Sequence, residues 1–168
     1  SLYERAAHQL NMAGLYIHIP FCMKKCAYCD FVSFADPAPR QAYLSALKKE
    51  ISFASHRFSP IVYDTVFIGG GTPSILPPAD MAGLLDTLHR AFAIAPGAEF
   101  TIECNPGTVD GEKLLVYRAG GVNRISFGLQ SAEDSLLRAI GRVHDFTRFC
   151  QSLSLAREAG FRNINVDL

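Results

Sequence analysis

Five short strand-like segments alternate with helix-like ones along the whole chain: GLYIHIP (14–20), DTVFIG (64–69), EFTIECN (99–105), RISFGLQ (124–130) and RNINVDL (162–168). Between them, apolar residues recur at helical spacing. Tyr43, Leu44, Leu47, Ile51 and Ala54 form one such stripe, entered through Asp36-Pro37-Ala38-Pro39. Met81, Leu84, Leu85, Leu88 and Phe92 form a second, entered through Pro77-Pro78. Further helices are expected at about 111–119, closed by Gly120-Gly121, at 133–140 and at 146–159. Such alternation implies parallel strands joined by right-handed crossovers.

The strands also say which kind of parallel sheet this is. Strands covered by helices on both faces read as unbroken apolar runs. Here Ile125, Phe127 and Leu129 oppose Ser126, Gly128 and Gln130, while Ile164, Val166 and Leu168 oppose Asn163, Asn165 and Asp167. Phe100 and Ile102 likewise oppose Thr101 and Glu103, and Leu15, Ile17 and Ile19 oppose Tyr16 and His18. Successive side chains point to opposite faces, so one face packs on helices and the other is polar. Glu103, Gln130 and Asp167 stand at strand C-termini, where parallel barrels build their sites. The expected fold is α/β, a partial parallel barrel.

The 168 residues are 49% apolar and 19% charged, enough for a buried core and unlike a disordered chain. Sixteen basic residues balance sixteen acidic ones, which gives no reason to expect nucleic acid as a partner. No apolar run approaches a transmembrane span. The first residues, SLYERAAHQLN, lack a signal-peptide core, so a cytoplasmic location is expected. Met12-Ala13-Gly14 reads as a native start, which makes residues 1–13 an N-terminal extension and 14–168 the core. NINVDL ends inside an alternating pattern, as a barrel truncated after about strand five would.

The first strand runs into a C-x3-C-x2-C array, Cys22, Cys26 and Cys29. Three thiols are one short of a closed zinc site and odd for a disulfide framework. They suit a [4Fe-4S] cubane with one iron left open to a bidentate small molecule. Cys104 and Cys150 stand alone and are expected to be small buried hydrophobes.

The array, with Tyr28 before its last cysteine and GGGTP at 69–73, resembles the radical S-adenosylmethionine (SAM) superfamily. The fuller set, YIHIPFC, CDF, FIGGGTPS, ECNPGTV, GVNRISFGLQS and GRVH, is similar to the oxygen-independent coproporphyrinogen III oxidases and their HemW-type heme chaperone relatives. The resemblance implies a (β/α)6 barrel, a cluster on Cys22, Cys26 and Cys29, and reductive cleavage of S-adenosyl-L-methionine. It assigns Gly70, Gly71 and Thr72 to the methionine end of the cofactor and Glu103 to its ribose hydroxyls. Arg142 is assigned as a cofactor contact, where a guanidinium suits a carboxylate.

Gln130 and Asp167 are expected as polar contacts to cofactor or substrate. Tyr16 either lies near the cofactor or is a core tyrosine, and Tyr28 is placed to flank the adenine. His18 is expected to be a hydrogen-bonded core group, and His56, His89 and His144 are given no role. The resemblance further implies heme or a porphyrinogen as ligand, an electron donor, and a heme-recipient protein for a chaperone. The oxidases carry a further cysteine two residues after the third, where this chain has Phe31. That difference favours the chaperone branch.

Overall fold

The computed structural model describes residues 12–36 and 38–168. Its strands are β1 (Met12–Ile19), β2 (Val62–Gly70), β3 (Ala93–Cys104), β4 (Arg124–Gly128) and β5 (Asn163–Asp167). Its helices are α1 (Arg40–Arg57), α2 (Pro78–Ala91), α3 (Gly111–Ala119), α4 (Asp134–Ala139) and α5 (Phe146–Glu158), with a 3-10 turn at Pro73–Ile75. The strands lie side by side in chain order, and every pair is parallel. Right-handed crossovers that always step in one direction put all the helices on one face. The opposite face is left open, as the alternating sequence requires.

Most of the expected core residues are where the periodicity places them, although Ile164 and Val166 of β5 are only half-buried. Met81, Leu84, Leu85 and Leu88 of α2 are fully enclosed, as are Ile68, Ile102, Ile125 and Phe127 of the sheet. Each such side chain contributes about 1.5–3 kcal/mol by leaving water. Helices α1 and α2 pack together, as do α2 and α3, and α3 and α5. Local chemistry sets the starts of two helices: Asp110 accepts the Lys113 amide at α3, and Asp145 accepts that of Arg148 at α5.

Several boundaries and positions differ from expectation. β1 takes in Met12 and Ala13, two residues assigned to the extension; the rest of that extension, and Pro37 of the first helix-start signal, lie outside the described residues. β3 begins six residues early because Ala93 and Ile94 pair with Val62 and Tyr63 before the register breaks. Leu168, expected on the core face, is 85% exposed; among the described residues no helix follows β5 to cover it. Cys150, expected to be buried, is exposed. The inward stripe of α5 is Phe149, Ser152 and Ala156, and position 150 lies one step, about 100°, around the helix from it. Cys104 is buried as expected, and burial pushes its thiol pKa up to about 12. No helix among the described residues is long and apolar enough to cross a membrane.

Candidate cofactor site at the strand C-termini

Beyond β1 the chain leaves the sheet, carries the three cysteines, and returns. Phe34 N–H donates to the Pro20 carbonyl at 2.7 Å and Cys22 N–H to the Phe34 carbonyl at 3.0 Å, closing the loop at its neck. His18 Nε2 braces it from below by contact with the Val32 carbonyl at 2.8 Å, while its Nδ1 faces the Tyr16 hydroxyl at 3.1 Å. His18 is therefore hydrogen-bonded, as expected, but it is only half-buried and not a core group. Inside the loop Cys29 N–H donates to the Cys26 carbonyl at 3.2 Å, and Ala27 N–H reaches the Ile140 carbonyl at 3.1 Å.

The glycine segment that ends β2 lies directly against this loop. Gly71 and Thr72 donate their amides to the carbonyls of Ile19 and Phe21, both at 2.8 Å. A Cβ on Gly71 would stand 2.7 Å from the Phe21 oxygen and 3.0 Å from Cys22 Sγ, so only glycine fits there. Gly70 has φ +116°, and a Cβ there would strike the His18 ring at 2.7 Å. Gly70 N–H donates to Glu103 Oε2 at 3.0 Å. Burial raises the Glu103 pKa, with Asp167 adding to the rise and the Gly70 amide and His18 opposing it.

Arg142, after α4, points back across the site. One terminal nitrogen donates to Asn105 Oδ1 at 2.7 Å and to the Gly128 carbonyl, and the other lies 3.6 Å from Cys26 Sγ. Its Nε is buried and has no partner among the described residues. Tyr28 is exposed beside it; burial of its inner part raises the phenol pKa and the Arg142 charge opposes that. Gln130 is a non-glycine residue with φ +72°, a left-handed turn that aims its N–H at the Asp167 carbonyl, 2.8 Å away. The Asp167 carboxylate accepts from Asn165 Nδ2 at 2.8 Å and from the Ser126 hydroxyl at 3.3 Å.

The candidate positions therefore lie on or beside the polar face and the strand C-termini. Tyr16 sits lower, its ring stacked on Phe67 at 6.0 Å. Asn105, which the sequence motifs do not single out, ties Thr72 to Arg142. Its signal was available, since it stands two residues after Glu103 on the same strand phase.

The donor chemistry suits a cubane. The three thiols are free, half-buried and carried on one closed loop. Among the described residues no three His, Cys, Asp or Glu side chains converge on a single ion. A cubane asks something different, because each of its cysteines ligates a separate iron.

A profile of the radical SAM superfamily matches residues 16–168. The chain belongs to the radical SAM superfamily. Among its relatives, the heme chaperone HemW of Bacillus subtilis is 42% identical over 159 residues, covering 94% of this chain and 42% of that protein. HemW of Escherichia coli is 41% identical over 166 residues, covering 95% and 43%. The solved structure of the radical SAM enzyme coproporphyrinogen III oxidase (HemN) of Escherichia coli superimposes with a TM-score of 0.84 at 33% identity, covering 94% of this chain and 36% of that one. The chain thus spans less than half the length of each. Radical SAM membership implies a [4Fe-4S] cluster and S-adenosylmethionine, and the parallel sheet with helices on one face is that superfamily's barrel in part.

Proposed function

We propose that residues 14–168 are the radical SAM core of a HemW-type heme chaperone, acting in the cytoplasm. In this reading Cys22, Cys26 and Cys29 hold the [4Fe-4S] cluster. Gly70, Gly71 and Thr72 receive the methionine end of S-adenosylmethionine, and Glu103 the ribose. Tyr16, Tyr28, Gln130, Arg142 and Asp167 complete the cofactor contacts. Bound there, the cluster would supply an iron free of protein ligands and one electron for the sulfonium. The chain's own residues orient the cofactor and hold its polar groups: Gly70 fixes Glu103 through its amide, and Glu103 offers its second carboxylate oxygen.

The observation that carries the chaperone reading is Phe31. It is 65% exposed, two residues beyond Cys29, where the decarboxylating oxidases carry a further cysteine. The identities near 40% to proteins named as heme chaperones add support. The second reading, an oxygen-independent coproporphyrinogen III oxidase, draws on the likeness to HemN.

Anaerobically purified full-length protein, incubated with S-adenosylmethionine, reductant and coproporphyrinogen III, separates the two. Stable heme binding, transfer of heme to a recipient, and no decarboxylated product are expected. Appearance of protoporphyrinogen would overturn the chaperone reading.

A further inference from the structure

Two side chains point hydrogen-bond donors at cysteine sulfurs: the Thr72 hydroxyl is 3.7 Å from Cys22 Sγ, and an Arg142 nitrogen is 3.6 Å from Cys26 Sγ. They come from different crossovers, yet both are held by the amide of Asn105. Its Oδ1 accepts from Arg142 at 2.7 Å, and its Nδ2 donates to Thr72 Oγ1 at 2.9 Å.

The directions in this chain are forced. A guanidinium has donors only, so the amide must turn its oxygen to Arg142 and its NH2 to Thr72. The Thr72 oxygen then accepts, and its own proton is left to point at Cys22. One amide orientation thereby sets the donors on two of the three cysteines.

The amide stands on a stiff base. Asn105 N–H donates to Ser74 Oγ at 3.2 Å, and its carbonyl accepts from the Thr108 amide and hydroxyl at 3.1 and 2.7 Å. Lys113 Nζ clamps the carbonyls of Ser74 and Thr108 at 2.7 and 2.8 Å. Hydrogen bonds to cluster sulfurs are among the levers that set reduction potential. They favour the reduced state, which carries the extra negative charge.

We propose that Asn105 is a positioning residue that tunes the reduction potential of the cluster through Thr72 and Arg142. The proposal rests on the cluster reading above. The test is an EPR-monitored redox titration of the complete protein, reconstituted anaerobically with iron and sulfide. Asn105→Ala frees both donors and Asn105→Asp removes the amide donor to Thr72, so both shift the reduction equilibrium threefold to tenfold toward the oxidised form; tenfold is about 59 mV for one electron. Thr72→Val shifts it the same way in wild type and by less in either Asn105 background, as coupled residues do.

Should Asn105→Ala lose its cluster, Asn105→Asp and its pairing with Thr72→Val decide the matter. A wild-type protein with no cluster signal overturns both the cluster reading and this role. A normal wild-type cluster whose potential is unchanged in the Asn105 variants, or a Thr72→Val shift that is fully additive, overturns the positioning role alone.

Discussion

Glu103 and Gly70 are joined by a 3.0 Å bond from backbone amide to carboxylate, across the C-terminal ends of β3 and β2. The bond fixes one oxygen of a carboxylate whose pKa is raised mainly by burial. A carboxyl with a raised folded pKa favours the fold below its unfolded pKa, and that contribution is lost as pH rises through the folded value. Above the folded value the charged Glu103 therefore costs stability. Glu103→Gln keeps an oxygen for Gly70, so the apo variant should melt above wild type at pH 7.5. The gain should vanish near pH 4, in thermal melts at both pH values. Affinity for S-adenosylmethionine, measured calorimetrically on reconstituted protein, should fall at least tenfold.

Gly71→Ala places a methyl against the Phe21 carbonyl and Cys22 Sγ. Neither neighbour is the free end of a flexible chain, so the loop must move. A loss of about 1–3 kcal/mol is expected from such overpacking, together with reduced iron content after reconstitution. Gly83, in the middle of α2, is the counterexample: its nearest neighbour is Lys48 Nζ at 3.3 Å, a flexible tip. Gly83→Ala should raise stability by about 0.5–1 kcal/mol. Urea titration of the two variants checks both signs.

The Tyr117 hydroxyl is buried with no partner among the described residues, and burial drives its pKa far up. Removing an unsatisfied group costs nothing in bonding and relieves its desolvation. Tyr117→Phe should be neutral or stabilising by up to ~1 kcal/mol in chemical denaturation. A destabilised variant would mean that the hydroxyl has a partner.

Single replacement of Cys22, Cys26 or Cys29 by Ala should abolish the brown colour and the iron and sulfide of reconstituted protein. Cys150→Ser, on the solvent face of α5, should leave both unchanged. Metal analysis and absorbance spectra decide. Cys104→Ser should keep the cluster and cost stability, because it puts a hydroxyl where the buried thiol now packs.

The sheet and its helices were legible because two periodicities do not overlap. The stripe Met81, Leu84, Leu85, Leu88 can only be a helix face, and Ile125, Phe127, Leu129 only a strand face. Residue type is a poorer guide than spacing: free cysteines are usually buried, yet Cys150 is exposed. Leu168 is exposed for another reason, since its alternation is correct but nothing described packs over it. The cysteine loop and glycine segment were legible as motifs. The contacts of Arg142 and Asn105 were not, because they depend on which crossovers the sheet brings together.

Strands laid down in chain order give the site a history. Synthesis makes the cysteine loop early, and its neck closes through bonds between near neighbours, Pro20 and Phe34. The guanidinium that leans on Cys26 is encoded 116 residues later, about 6–23 s at 5–20 residues per second on the ribosome. Until then the sulfur of Cys26 lacks the donor that the finished structure gives it. A chain cut short before position 142 would therefore carry the three thiols without the guanidinium that leans on Cys26.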